Sequence, residues 1–193
     1  MGFQVPHIAD DLRNAAAKIR ERTVIRLIDN EPEFHVWRDT LNMGDHGAIA
    51  TASFLDCGLP STVGVGDLAP IAKAVIAQLN ESAPDFIVIE MGDGILGGYS
   101  VESVFADQEL RDAAAAIIFC ASDYVGAWGG IELFRRWGIE IEMIAGSVTD
   151  SQMGQSYIEK QFGVPAGNAR RDGAHLFQLI RSKVEAACTK VRV

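Results

Sequence analysis

Residues Phe86 to Ile89 form an unbroken apolar run, Phe-Ile-Val-Ile, which Glu90 closes and glycines at positions 92, 94, 97 and 98 follow. A run this short, made of β-branched and aromatic residues, reads as a strand. Without polar alternation it reads as a strand covered on both faces, the condition of a central strand in a parallel sheet. The pattern predicts a strand over residues 85–90, with Glu90 delivered to its carboxyl end and a glycine-rich loop beyond it.

The rest of the chain alternates element types around that strand. Leu12, Ala15, Ala16 and Ile19 follow helical spacing and predict a helix over residues 10–22, and TVIRLI predicts a strand over 23–28. DTLNMG suggests a short helix ending at Gly44. A helix over 66–81 carries Ile71, Ala74, Val75 and Leu79 on one stripe, with Asp67 as its cap. Further elements are a helix over 108–114, a buried strand over 116–121, and a helix over 131–137 stopped by Gly138. A strand over 139–146 and a helix over 150–162 capped by Asp150 come next, then a short strand or turn at 163–165 and a closing helix over 172–190. This order predicts an α/β protein: a single three-layer domain over residues 1–193 with a mostly parallel sheet. Ligands of such sheets bind beyond the carboxyl ends of the strands, so the loops after the strands carry the functional candidates.

Composition narrows the classes. Of the 193 residues 48% are apolar and 22% charged, which suits a globular chain and excludes a disordered one. Lys and Arg total 17 against 26 Asp and Glu, and the resulting net charge of −9 argues against nucleic acid and anionic membranes as partners. The longest apolar stretch, Ala113 to Ala121, is too short to span a bilayer. The start, MGFQVPHIADDL, shows no signal-peptide pattern, so a cytoplasmic location is expected. Cys57, Cys120 and Cys188 are widely separated, with no zinc spacing and no disulfide framework. No paired His accompanies Cys57 to make it a nucleophile.

Four loops offer chemistry. In IVIEMGDGILGG, residues 87–98, Glu90 can hold Mg²⁺ and the N–H groups of Gly92 and Gly94 can approach phosphate oxygens; the alternative is a flexible turn with a solvated Glu. In ATASFLDCGLPST, residues 50–62, Asp56 offers a second carboxylate for the same metal and Ser61 and Thr62 offer hydroxyls; the alternative is a turn and a helix cap. Asp39, Asp45 and His46 stand in the polar segment before it, where a lone His reads as a surface or packing residue rather than as a ligand. In CASDYVGAWGG, residues 120–130, Ser122 and Asp123 end a strand before a glycine-rich turn, and Asp123 either caps the next helix or accepts from a base or amine. Trp128 reads as core, with base stacking as the alternative. In AGSVTDSQMG, residues 145–154, Ser147, Thr149 and Asp150 read chiefly as helix-capping residues. Arg170 and Arg171 are either a solvated pair or an anion contact.

In this order the loops resemble the P-loop NTPase group that includes dethiobiotin synthetase and related ATP-dependent ligases, from about residue 8 to the end of the chain. RDTLNMGDHGAIATASFLDCGLPST and FCASD resemble an uncharacterised bacterial branch of that group, whose DxGxPST-type segment reads DCGLPST here. The resemblance implies that Asp56 falls in the acidic switch and that Glu90 stands at the metal-binding strand end. It places Gly92 and Gly94 beside the terminal phosphate or substrate, and Ser122 and Asp123 in the base-side loop. Mg²⁺ with ATP or GTP are the implied cofactors. The group's phosphate loop, GxxxxGK[ST], is absent, and no lysine in the chain follows a glycine. The chain is then expected to be either the C-terminal part of a longer P-loop protein or a relative that has lost the loop.

Three functions are carried forward. The first is a nucleotide- and Mg²⁺-dependent ligase- or transferase-like core. The second is a non-catalytic α/β domain that binds a small molecule or self-associates, as a homodimer across Trp128 and Trp137 for example. The third is a Rossmann-type dinucleotide or CoA binder using the Gly92–Gly98 loop, although that loop lacks the GxGxxG pattern. No residue is singled out as catalytic.

Overall fold

The structure, a computed structural model, describes residues 23–28, 36–84, 86–91 and 94–190. The predicted helix over 10–22, the candidate ligand Gly92, and Asp39 as a side chain lie outside the described residues. Two compact units divide the chain between Ala113 and Ala114.

The first unit contains β1 (Thr23–Ile28), α1 (Val36–Asp45), a 3-10 turn (Phe54–Cys57), α2 (Ala69–Asn80), β2 (Phe86–Met91), α3 (Val101–Ala106) and α4 (Gln108–Ala113). β1 and β2 pair in parallel, with Thr23 opposite Phe86 and Leu27 opposite Glu90. Parallel neighbours need a crossover, and the chain between them supplies α1 and α2. Helix α2 starts three residues later than its stripe predicts. Pro70 occupies its first turn, where a missing N–H costs nothing, and the Asp67 carboxylate accepts from the Ala69 N–H at 2.9 Å. Its buried face, Ala72, Val75 and Leu79, enters two apolar clusters, one with Phe54, Leu68 and Val104 and one with Ala52.

β2 departs from expectation. Its side chains are only half-buried and Ile89 is 36% exposed. Ile87 and Met91 pack against the clusters of α2, but among the described residues this sheet has two strands only, so β2 has no second strand neighbour.

The second unit runs β3 (Ile118–Cys120), α5 (Tyr124–Arg136), β4 (Met143–Ala145), a 3-10 turn (Ser147–Thr149), α6 (Gln152–Phe162) and α7 (Ala169–Lys190). β3 and β4 are parallel, with Ile118 opposite Met143 and Cys120 opposite Ala145, and Ile144 forms a parallel bridge to Ala166. The strand covered on both faces is β4. Met143, Ile144 and Ala145 are all fully buried. Ile144 packs with Ala127 of α5 and Ile158 of α6, whereas Met143 and Ala145 pack with Leu176 and Ile180 of α7. Successive strand residues face opposite sides, so β4 has helices on both.

Three helix starts in the second unit also differ from the sequence reading. The glycine-rich turn expected at 124–130 is the first half of α5. Gly130 is needed there because a Cβ would fall inside the ring of Phe119, which stacks edge-on against Phe134 at 5.8 Å. At α6 the cap is Ser151, whose hydroxyl accepts from the Gly154 N–H at 3.0 Å, and not Asp150. In α7 the backbone leaves helical geometry at Asp172, whose carboxylate accepts from the His175 N–H at 2.9 Å, so the residue expected to open the helix marks a kink inside it.

Candidate functional site

In the first unit the glycine loop after β2 meets the segment that follows DCGLPST. The Gly64 N–H donates to the Gly98 carbonyl at 3.0 Å, joining the segment after DCGLPST to the glycine loop after β2. Ser103 fastens the same pair of segments: its hydroxyl donates to the Ser100 carbonyl at 2.6 Å and accepts from the Leu68 N–H at 2.8 Å. Gly94 is exposed at φ +92°, a backbone conformation that favours glycine. The helix that follows, α3, is six residues long and starts at Ser100 without a side-chain cap.

Asp56 stands in the 3-10 turn as the acid of a capping box. Its Oδ2 accepts from the Ser53 N–H at 2.7 Å, and the Ser53 hydroxyl accepts from the Leu55 N–H at 3.2 Å. The sequence offers Asp56 as a metal carboxylate or as part of a turn that precedes a helix cap; in the structure its Oδ2 is hydrogen-bonded within the 3-10 turn itself. Leu55 and Leu59, on either side of it, pack against the same apolar cluster as Met91. The turn bearing Asp56 and the strand end bearing Glu90 are thus seated on one core. Along a strand, however, neighbours point to opposite faces. Met91 faces that core, so Glu90 belongs to the other face of β2, with Phe86 and Val88, and is half-buried. Among the described residues no group of three or more His, Cys, Asp or Glu side chains stands together as a metal site.

In the second unit the strand ends are side by side. The Ala121 N–H donates to the Ala145 carbonyl at 2.9 Å, the Val148 N–H returns to the Ala121 carbonyl at 3.1 Å, and the Ser147 hydroxyl donates to the Ser122 carbonyl at 3.2 Å. Gly146 permits this approach: a Cβ on it would stand 2.6 Å from the Ala121 carbonyl oxygen. Asp123 caps α5, its Oδ1 accepting from the Gly126 N–H at 2.7 Å. Ser122, Asp123 and Ser147 are exposed on this edge, and Trp128, read as core from sequence, is 57% exposed one turn into α5. Trp137 stacks edge-on against Phe134 at 5.5 Å.

Behind the edge Thr149, Asp150 and Arg171 form a polar network around Asn168, a residue the sequence did not single out. Asn168, 6% exposed, donates to the Thr149 hydroxyl at 3.2 Å and to Asp150 Oδ1 at 2.9 Å, and accepts from the Arg171 N–H at 3.0 Å. Thr149 is fully buried, and its hydroxyl lies 2.7 Å from the Gly146 carbonyl and 3.0 Å from that of Gly167. The Arg171 guanidinium donates to the Thr149 carbonyl at 3.0 Å. Asp150, Thr149 and Arg171 thereby tie the loop after β4 to the start of α7. An Asn just ahead of a helical run is a cap signal, and it was available at Asn168.

Strong charge pairing lies elsewhere. Lys73 of α2 contacts Asp107 at 2.8 Å and Glu109 at 2.7 Å; these hydrogen bonds raise the ammonium above its ordinary value, and Lys73 holds the Asp107 carboxyl below its own. Arg135 and Arg136 likewise lower Glu132. Lys73 is thus committed to carboxylates. Among the described residues no helix is long and apolar enough to cross a membrane.

Compared with known protein families, curated proteins and solved structures, the chain matches none.

Proposed function

We propose that the chain is a nucleotide-binding α/β protein of the P-loop-like kind, working with ATP or GTP and Mg²⁺, and that residues 121–124 form its base-side loop. The finer architecture, one three-layer domain with a mostly parallel sheet, belongs to the same proposal. The observation that carries the reading is the edge of the second unit: two parallel strands end side by side in exposed serine- and aspartate-bearing loops, where ligands of parallel sheets bind. Exposed Trp128 adds a surface on which a base can stack. The Ser122 hydroxyl and the second oxygen of Asp123 are the groups assigned to hydrogen-bond the base, because Asp123 Oδ1 is occupied by the helix cap. For Mg²⁺ the resemblance implies the Asp56 and Glu90 carboxylates of the first unit.

Isothermal titration of the full chain with ATP or GTP and Mg²⁺ tests this reading. Asn caps helices as well as Asp does, so Asp123→Asn removes the charge while leaving α5 intact. Binding heat is expected for the parent, with about tenfold weaker affinity in Asp123→Asn or Ser122→Ala, the loss of roughly one hydrogen bond. Glu90→Gln is expected to reduce the Mg²⁺ dependence of that heat. No heat with any nucleotide sinks the proposal and leaves the non-catalytic binding domain; fluorescence quenching by NADH but not ATP replaces it with the dinucleotide reading.

A further inference from the structure

We draw no further inference here: the strongest candidate, the exposed apolar patch that Met153 and Tyr157 of α6 share with Tyr124 and Val125 of α5, has nothing in the structure to show what covers it.

Discussion

Gly129 and Gly130 are adjacent in α5, and alanine at the two positions is expected to act in opposite directions. In an exposed or open helix interior, Gly→Ala stabilises by about 0.5–1 kcal/mol through helix propensity and the smaller entropy of the unfolded chain. Gly129 meets that condition, because a Cβ there has no atom within 4 Å. At Gly130 the same gain is opposed by overlap with the Phe119 ring. The ring cannot simply swing away, since it is packed edge-on against Phe134, which is itself only 1% exposed and stacks on Trp137. Overpacking of a filled core costs about 1–3 kcal/mol, so Gly130→Ala is expected to be net destabilising by roughly 0–2.5 kcal/mol once the propensity gain is subtracted. Urea unfolding of both variants, followed by circular dichroism, separates the two effects: the Gly129→Ala midpoint should rise and the Gly130→Ala midpoint should fall, with unchanged slopes. Phe119→Leu combined with Gly130→Ala should recover part of the loss, a coupling that independent sites do not show. Equal stabilisation by both alanines would refute the close packing of α5 on β3.

Three further outcomes follow from the contacts described. Asn168→Ala should destabilise by about 1–3 kcal/mol, since Thr149 and the Arg171 amide lose a buried partner; thermal unfolding measures it, and a neutral result argues against the network. Ser103→Ala should leave the Leu68 N–H unpaired, cost about 1–2 kcal/mol, and speed hydrogen exchange at Leu68; unchanged exchange there argues against the clasp. The Lys73–Asp107 clasp contributes stability in a defined pH window. Asp107 is depressed, so its part is present above the unfolded carboxyl value and is lost as pH falls through the lower folded value; Lys73 is raised, so its part is present below the unfolded amine value and is lost as pH rises through the higher folded one. Lys73→Met should therefore flatten the acid limb of the stability–pH curve as well as the alkaline limb, and it should do so less at high salt because the pair is at the surface. An identical pH profile in parent and variant would remove the clasp from the account.

What the sequence made legible depended on how far local chemistry agrees with tertiary packing. TVIRLI reads as a strand from its β-branched residues, and β1 spans the same six residues. The last long helix was expected to open at Asp172, and its carboxylate does cap the main run of α7. Gly126, Gly129 and Gly130 lower local propensity, so the sequence predicts helix only over 131–137, while what demands Gly130 is a ring from a strand eleven residues away in sequence. The short α3, entered through a left-handed Ser100, gave no periodic signal. IEIE alternates like a strand and predicts one over 139–146, yet only Met143–Ala145 joins the ladder. At the candidate site, capping chemistry was readable at Asp123, and the Ser53-to-Asp56 spacing fits a capping box. The Asn168 network was not, because it joins segments far apart in sequence that the parallel bridge between Ile144 and Ala166 helps bring together.

The capping box has a thermodynamic corollary for any cation that chelates Asp56 through both oxygens. An ion whose geometry displaces the Ser53 amide from Oδ2 gives up about 0.5–2 kcal/mol. Linkage then requires a dissociation constant roughly 2- to 30-fold weaker than the naked carboxylate would give. Removing Ser53's own hold on the turn would sharpen the ion's grip while loosening the fold, so affinity and conformational stability at this corner are antagonists.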